Sequence, residues 1–294
     1  MKKRIILLVA LLCCILLVIA LSNVKYQRIS FDDDTLGEKL AALDNDTLVI
    51  NNATETYPKQ IPIYRIIEND ISEKEYRQML EALDLPDKVA PDDLEKNSLY
   101  YNLVNMTDFS RGYFNMSEEE AIKQAWEVLD KISFLTGEYE CVGLDDMFYM
   151  VDSEGRHTTR AGVVFRRVVD GLRVSGGDKC VIYFDGSGLV AIKLHLFHYI
   201  KIGTMTLVPM EEAEARIKTP DSFTIEANFG KANTLQVDNV NLRLVNQYSS
   251  GCTILQPVYN FVGTAIKEDG SKAEFISRVI AIPESYTYEK ETTE

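Results

Sequence analysis

Hydrophobic residues recur at every third or fourth position between Ser117 and Ile132, while charged residues occupy the opposite side. Ser117 and Glu120 have the spacing of a capping box, in which the serine oxygen accepts from a first-turn amide and the glutamate accepts from the serine N–H. The pattern predicts an amphipathic helix over residues 118–132. Gly137 follows, where the end of a helix is favoured.

The hydrophobic period shortens beyond Gly137 from about 3.6 residues to about 2, which predicts strands as far as Ile202. Asp170-Gly171 is typical of a tight turn, so we expect the strands around it to form an antiparallel meander. The polar stretch Asp152–Thr159, which contains His157, predicts a loop. The last strand places one alternating set of side chains in the core beneath the helix: Ile192, Leu194, Leu196, His198, Ile200 and Ile202.

Two flanking regions repeat this arrangement on a smaller scale. Residues 57–115 combine strands with a second capping box at Ser72 and Glu75, and residues 206–285 combine a helix at Met210–Ile217 with three strands. Together with a central unit over residues 116–205, they predict an α+β fold of tandem helix-on-antiparallel-sheet units. Residues 286–294 are charged and predict a disordered tail.

The N-terminus carries the pattern of an export signal or membrane anchor. Three basic residues at positions 2–4 precede an unbroken apolar run from Ile5 to Leu21, so residues 1–24 predict a single membrane-spanning segment with the C-terminal domain outside the cytoplasm. Ala20-Leu21-Ser22 offers a cleavage site, and a cleaved, secreted form is the alternative. Residues 25–56 are polar and predict an acidic tether.

Charge and cysteine content narrow the classes of function. The net charge is −14, and residues 1–24 hold three of the 31 basic residues and none of the 45 acidic ones, so the remainder carries 28 − 45 = −17. Such an acidic surface argues against nucleic-acid binding. Only Cys141, Cys180 and Cys252 lie outside the N-terminal segment, so at most one internal disulfide can form. Whether any two of them are bonded is open, and buried free cysteines are the favoured interpretation.

No stretch of the chain carries a catalytic or ligand-binding signature. His195 and His198 are expected on opposite sides of a strand, and Gly176–Lys179 lacks the spacing of a phosphate-binding loop. We therefore predict no catalytic, cofactor-binding or metal-binding residues and no enzyme activity. Tyrosines are abundant on the predicted strands and serve either packing or a recognition face: Tyr100, Tyr101, Tyr113, Tyr149, Tyr183, Tyr199, Tyr248 and Tyr259.

Two segments carry a family resemblance. Arg167–Val174, followed by Val181–Asp185 and a helix opened by Glu211-Glu212-Ala213, resembles the units of PepSY-like extracytoplasmic proteins. Leu255–Phe261, with Asp269-Gly270 and a strand ending Val279-Ile280-Ala281, is similar to the C-terminal part of the YycH/YycI regulatory proteins. The resemblance spans residues 116–285.

This resemblance implies a non-catalytic accessory regulator in cell-envelope homeostasis of Gram-positive bacteria, anchored in the membrane through residues 5–21. Its partner would be a membrane sensor histidine kinase of a two-component system or a paralogous regulator. PepSY-like units also imply an alternative, an inhibitor or propeptide-like module for a secreted peptidase. An envelope ligand-binding protein is a further alternative.

Overall fold

The computed structural model of the chain describes residues 47–50, 57–86, 98–103, 112–152, 155–217, 222–224, 232–246, 254–267 and 269–283. Within these residues it has three helices: α1 (Glu73–Ala82), α2 (Glu118–Leu129) and α3 (Met210–Arg216). It has thirteen strands: β1 (Thr47–Ile50), β2 (Gln60–Glu68), β3 (Ser98–Asn102), β4 (Glu138–Asp152), β5 (Gly155–Val169), β6 (Leu172–Gly176), β7 (Lys179–Asp185), β8 (Gly188–His195), β9 (Phe197–Thr206), β10 (Ser222–Thr224), β11 (Ala232–Asn246), β12 (Gln256–Lys267) and β13 (Lys272–Ile280).

Eleven of these strands form one sheet, in which nine follow the order β10-β13-β12-β11-β6-β5-β7-β8-β3. β1 pairs with β11, and β4 pairs with β5. The two halves of the sheet meet through the short strand β6, which pairs antiparallel with β5 and parallel with β11. β2 and β9 form a separate two-stranded ribbon. The strand β6 therefore joins the two halves of the sheet.

One apolar core lies between the helices α1 and α2 and the β5–β7–β8 part of the sheet. α2 begins as predicted, with the Ser117 oxygen accepting from the amide of Glu120 at 3.2 Å. Ala121 and Ala125 are fully buried against the sheet, and the ring of Trp126 meets that of Phe165 edge-on at 4.7 Å between centroids. The predicted helix over residues 118–132 is confirmed as far as Leu129.

A second apolar core lies under the β11–β12–β13 half. It brings Leu242 and Phe261 together with Ala213 of α3 and with Tyr64 of the ribbon. The Tyr64 hydroxyl donates to the carboxylate of Asp170, which ties the ribbon to the turn between β5 and β6. That turn is the predicted one: Asp170 and Gly171 both have positive φ, at 47° and 77°.

The prediction of an α+β fold of tandem helix-on-sheet units is wrong, because strands dominate the described chain. The capping signals are real, but the helices they open span only 10 and 12 residues, whereas β4, β5 and β11 span 15 each. The loop predicted at Asp152–Thr159 is also wrong for residues 155–159. β5 begins at Gly155, so His157 lies within a strand whose two faces are both partly exposed.

The prediction that one face of the last meander strand stays in the core to Ile202 holds only for its first half. Ile192, Leu194 and Leu196 are buried on the helix side, but His198 is exposed and Ile200 is 51% exposed. The chain leaves the sheet at Leu196, and β9 pairs with β2 instead. The core position predicted for His198 is therefore wrong.

The membrane-anchored assignment needs correction. α2 is the longest helix in the described part of the chain, and its 12 residues span about 18 Å at 1.5 Å each, against about 30 Å of hydrocarbon. None of the described helices is long and apolar enough to cross a membrane. The apolar run at residues 5–21 lies outside the described residues, as do residues 25–46 of the tether and the tail at 286–294.

Candidate functional site

The β4–β5 hairpin has the longest run of paired residues among the described strands. Its pairing runs from Glu138 opposite Val168 to Asp152 opposite Gly155. β5 also pairs with β7, but only over Ala161–Arg166, so the distal part of the hairpin extends past the central strands. The amide of Phe114 donates to the carbonyl of Thr158 at 3.0 Å and fixes a neighbouring segment against this end.

The hairpin is irregular along β4. Its register shifts at three places, between Cys141 and Gly143, between Leu144 and Asp146, and between Phe148 and Tyr149. Bulges of this kind twist a strand and discourage edge-to-edge pairing with another chain. The hairpin is therefore suited to recognition through its side chains rather than through its backbone.

Aromatic and cationic side chains gather at the far end of this hairpin. Tyr149 and Val151 share a face with Arg156, whose guanidinium carbon lies 3.6 Å from the centroid of the Tyr149 ring. On the other face of the hairpin, where His157 is paired with Met150, Tyr113 stacks on His157 with the ring centroids 4.5 Å apart. We call these five residues the hairpin tip.

The hairpin tip is largely open to solvent. Val151 is 75% exposed, Tyr149 45% and Tyr113 39%. Next to the tip, Phe148 is 38% exposed and packs against the buried ring of Tyr183, at 5.9 Å between centroids. Tyrosine and arginine are the residue types that carry most binding energy at protein interfaces, because they combine large contact area with a polar group.

A buried carboxylate lies at the opposite end of the β5–β7 pair. Asp178 follows the turn from β6 and is 1% exposed. Neither of its carboxylate oxygens has a partner with good hydrogen-bond geometry in the described part of the chain. The turn before it fits only glycine at position 176, because a Cβ there would lie 2.3 Å from the carbonyl oxygen of Asn246 and φ is +108°.

Burial raises the pKa of Asp178 to about 7, although the Tyr199 hydroxyl, the Arg167 guanidinium and the Phe197 amide all favour the ionised form. Burial also raises the pKa of Tyr199 and of Cys180. Both side chains therefore stay protonated near neutral pH and are poor nucleophiles. Of Asp178, Tyr199 and Cys180, only Asp178 can therefore take up or release a proton near neutral pH.

The structure separates the residues that invited chemical interpretations. Gly176 ends β6 and Lys179 begins β7, so this segment connects two strands and does not open a helix as a phosphate-binding loop would. His195 lies on β8 and His198 on β9, in different sheets. Cys141 and Cys180 are both free thiols, and Cys252 lies outside the described residues. Among the described side chains, no group of three or more His, Cys, Asp or Glu residues could hold a metal ion.

The tyrosines do not form one recognition face. Tyr101, Tyr183 and Tyr259 are buried, each 2% exposed, and serve packing. Tyr100, Tyr113 and Tyr149 are exposed, and only the last two belong to the hairpin tip. Tyr199 is half-buried beside Asp178, and Tyr248 lies outside the described residues.

No protein-family model matches the chain, and no curated protein matches it at a significant level of similarity. The resemblance to PepSY-like and YycH/YycI proteins therefore stays a prediction.

Proposed function

We propose that this protein acts by contact with a partner protein through the hairpin tip, without catalytic activity of its own. The observation that carries this proposal is the exposure of Tyr149 and Val151 beside Arg156 at the end of a long hairpin. Exposed apolar side chains that cluster in this way are typical of interaction sites. The raised pKa values of Cys180 and Tyr199 leave these two residues without the reactivity of a nucleophile.

The hairpin also holds the side chains of its tip in position before a partner binds. Its two strands pair from Glu138 opposite Val168 to Asp152 opposite Gly155, with three register shifts, so the tip is held in position and loses little conformational entropy on binding. Tyr149 is fixed further by the cation above its ring, and Tyr113 by stacking on His157. A partner that covers these side chains removes their apolar surface from water at about 25 cal/mol per Å².

The class of partner that we propose is the sensor domain of a histidine kinase or a paralogous regulator. The support for this class is the resemblance of residues 116–285 to PepSY-like and YycH/YycI proteins. The contact would restrain the kinase and so adjust a two-component response.

The test measures binding of the full chain to the purified sensor domain of a histidine kinase from the same organism, by biolayer interferometry. We expect saturable binding, and we expect Tyr149→Ser combined with Val151→Ser to weaken it at least about tenfold, which is about 1.4 kcal/mol. The matched control is Ile200→Ser, which removes an apolar side chain of similar exposure from the ribbon.

Two outcomes would count against the proposal, and they separate its parts. Equal loss of binding in the double variant and in the control would show that the hairpin tip is not the contact surface. Binding to no sensor domain of that organism would remove the kinase as the partner class.

A further inference from the structure

The start of β9 packs on the turn that joins β6 to β7. A Cβ at Gly177 of that turn would lie 3.3 Å from the ring of Phe197, the first residue of β9. Two residues further along β9, the hydroxyl of Tyr199 accepts from the side-chain amide of Asn246, the last residue of β11, at 3.3 Å. We call Gly177, Asp178, Phe197, Tyr199 and Asn246 the ribbon corner, because the chain passes here from the main sheet to the β2–β9 ribbon.

Asp178 is the carboxylate enclosed in the ribbon corner. It is 1% exposed, and neither of its oxygens has a well-aligned hydrogen-bond partner within the described ranges. Asp185 is buried to the same extent but accepts from the amide of Ser187 at 2.8 Å. Of these two buried aspartates, Asp178 is therefore the one whose negative charge the fold supports poorly.

The other titratable groups that face Asp178 keep one charge state from acid to slightly alkaline pH. Arg166 and Arg167 of β5 act on its charge, and arginine stays protonated over this range. The remaining groups have pKa values that burial raises above their ordinary range, so they stay neutral: Tyr139 of β4, Cys180 of β7 and Tyr199 of β9. Asp178 is therefore the group of this set that changes charge.

Two histidines lie near the ribbon corner but face away from it. His195 is paired with Lys179, and Lys179 points to the sheet face opposite that of its neighbour Asp178. His198 alternates with Tyr199 along β9 and is exposed. Because histidine is the side chain that ordinarily changes charge near neutral pH, both residues need a control in any measurement against pH.

We propose that the ribbon corner is a pH-operated joint, which is closed while Asp178 is protonated and opens locally when Asp178 ionises. The ionised carboxylate gains hydration only if the start of β9 moves aside and admits water. This opening separates residues 197–199 from their partners at 66–68 of β2. The inference goes beyond the proposed protein contact and does not rest on it.

The rest of the ribbon has contacts that do not involve Asp178. The Tyr64 hydroxyl donates to the carboxylate of Asp170, and the amide of Leu255 donates to the carbonyl of Tyr64 at 2.9 Å. Ile63 and Met205 are buried in a separate apolar cluster at the other end of the ribbon. The opening is therefore confined to the first residues of β9.

The pH range of the joint follows from the two states of Asp178. Burial raises its pKa from 3.8 to about 7 in the closed corner, whereas the hydrated carboxyl of an open corner returns to its ordinary range. Between these values the closed corner holds a proton that the open corner has released. The opening equilibrium therefore rises about tenfold for each pH unit and levels off above about pH 7. Below about pH 4 both states are protonated, and the joint is closed most firmly.

The test is hydrogen–deuterium exchange of the full chain from pH 4 to pH 9, corrected for the intrinsic exchange rate at each pH. We expect the protection of amides 197–199 to fall about tenfold for each unit between about pH 4 and pH 7, and then to stay level. Asp178→Asn should abolish this fall. Urea below the unfolding transition should leave the exchange of these amides unchanged, because a local opening exposes little surface.

The matched control is the double variant His195→Gln and His198→Gln, which should keep the pH profile of the unaltered chain. Tyr199→Phe decides the matter if near-ultraviolet circular dichroism shows that Asp178→Asn is misfolded. It removes a hydroxyl that favours the ionised carboxylate, so the fall in protection should continue above pH 7.

Three results would overturn the proposal. The first is level protection of amides 197–199 across the pH range in the unaltered chain. The second is an unchanged fall in folded Asp178→Asn or, where that variant is misfolded, in Tyr199→Phe. The third is acceleration of their exchange by urea as steeply as that of the amides of β7, which would mean that they exchange only through global unfolding.

Discussion

Replacing Asp178 with asparagine should make the protein more stable at alkaline pH and leave its stability unchanged in acid. The carboxylate is 1% exposed, and neither oxygen has a well-aligned hydrogen-bond partner among the described residues. Ionising such a group inside the protein costs free energy that the unfolded chain does not lose. Asparagine has nearly the same shape but carries no charge at any pH.

The size of the effect follows from the pKa of Asp178, which folding raises from 3.8 to about 7. Between these values the folded chain keeps a proton that the unfolded chain has released, so stability falls by about 1.4 kcal/mol for each pH unit. The loss is complete above about pH 7 and reaches about 4 kcal/mol. Below about pH 4 both states are protonated, and the contribution of Asp178 is fully present.

Urea unfolding followed by Trp126 fluorescence measures this directly. Trp126 is the single tryptophan of the chain and packs edge-on against Phe165 in the core beside α2. We expect the free energy of unfolding of Asp178→Asn to exceed that of the unaltered chain by up to about 4 kcal/mol near pH 8, and to match it near pH 4. Asp130→Asn, at the exposed end of α2, controls for the change in net charge.

Parallel pH profiles for the unaltered chain and Asp178→Asn would refute this reasoning, because they would mean that Asp178 does not titrate between the folded and unfolded states over this range. A lower stability of the variant near pH 8 would refute it as well. In that case the ionised carboxylate would be a stabilising partner of Arg167 rather than a cost.

Two further predictions concern packing and thiol reactivity. Gly263→Ala should lower the free energy of unfolding in urea by about 3 kcal/mol, because a Cβ there would lie 2.0 Å from the carbonyl oxygen of Gln236 on β11. The control is Gly203→Ala, which has open space around it and should change the free energy of unfolding by less than about 0.5 kcal/mol. Burial raises the pKa of both Cys141 and Cys180, so their difference in exposure decides their reactivity. Buried Cys180 should react with a disulfide reagent only on unfolding, whereas half-buried Cys141 should react in the folded protein. Equal rates in Cys141→Ala and Cys180→Ala variants would contradict this.

Local signals in the sequence predicted the parts of the fold that depend on near neighbours. Ser72 and Ser117 start helices because each can satisfy a free amide in the first turn, and the structure shows both bonds. Asp170-Gly171 makes its turn because both residues tolerate positive φ. Each of these features depends on only a few neighbouring residues, so the local sequence pattern is sufficient to predict it.

Features that depend on distant partners could not be predicted in this way. Ile200 is exposed because β9 leaves the main sheet and pairs with β2, where Ile67 lies opposite His198 although 131 positions separate them. The polar residues at 155–159 form a strand because β4 supplies their partners, and not because their own pattern alternates. The join between the two halves of the sheet likewise depends on the parallel pairing of β6 with β11, which no local pattern reveals.

The burial of Asp178 did leave a signal in the sequence. Cys180, Ile182 and Phe184 alternate on the core face of β7, and one further step back along the same period reaches Asp178. An aspartate in phase with three core residues is expected to be buried. The exposed hairpin tip leaves no such signal, because an apolar strand end has the same sequence pattern whether it faces a core or a partner.

Hydrogen–deuterium exchange on the full chain, with and without the sensor domain of a histidine kinase, tests the central claim of contact through the hairpin tip. The account predicts slower exchange of the amides of residues 147–158 in the complex, and no change across β9, Phe197–Thr206. Unchanged exchange at residues 147–158 in a complex that demonstrably forms, or protection confined to the ribbon, would contradict it.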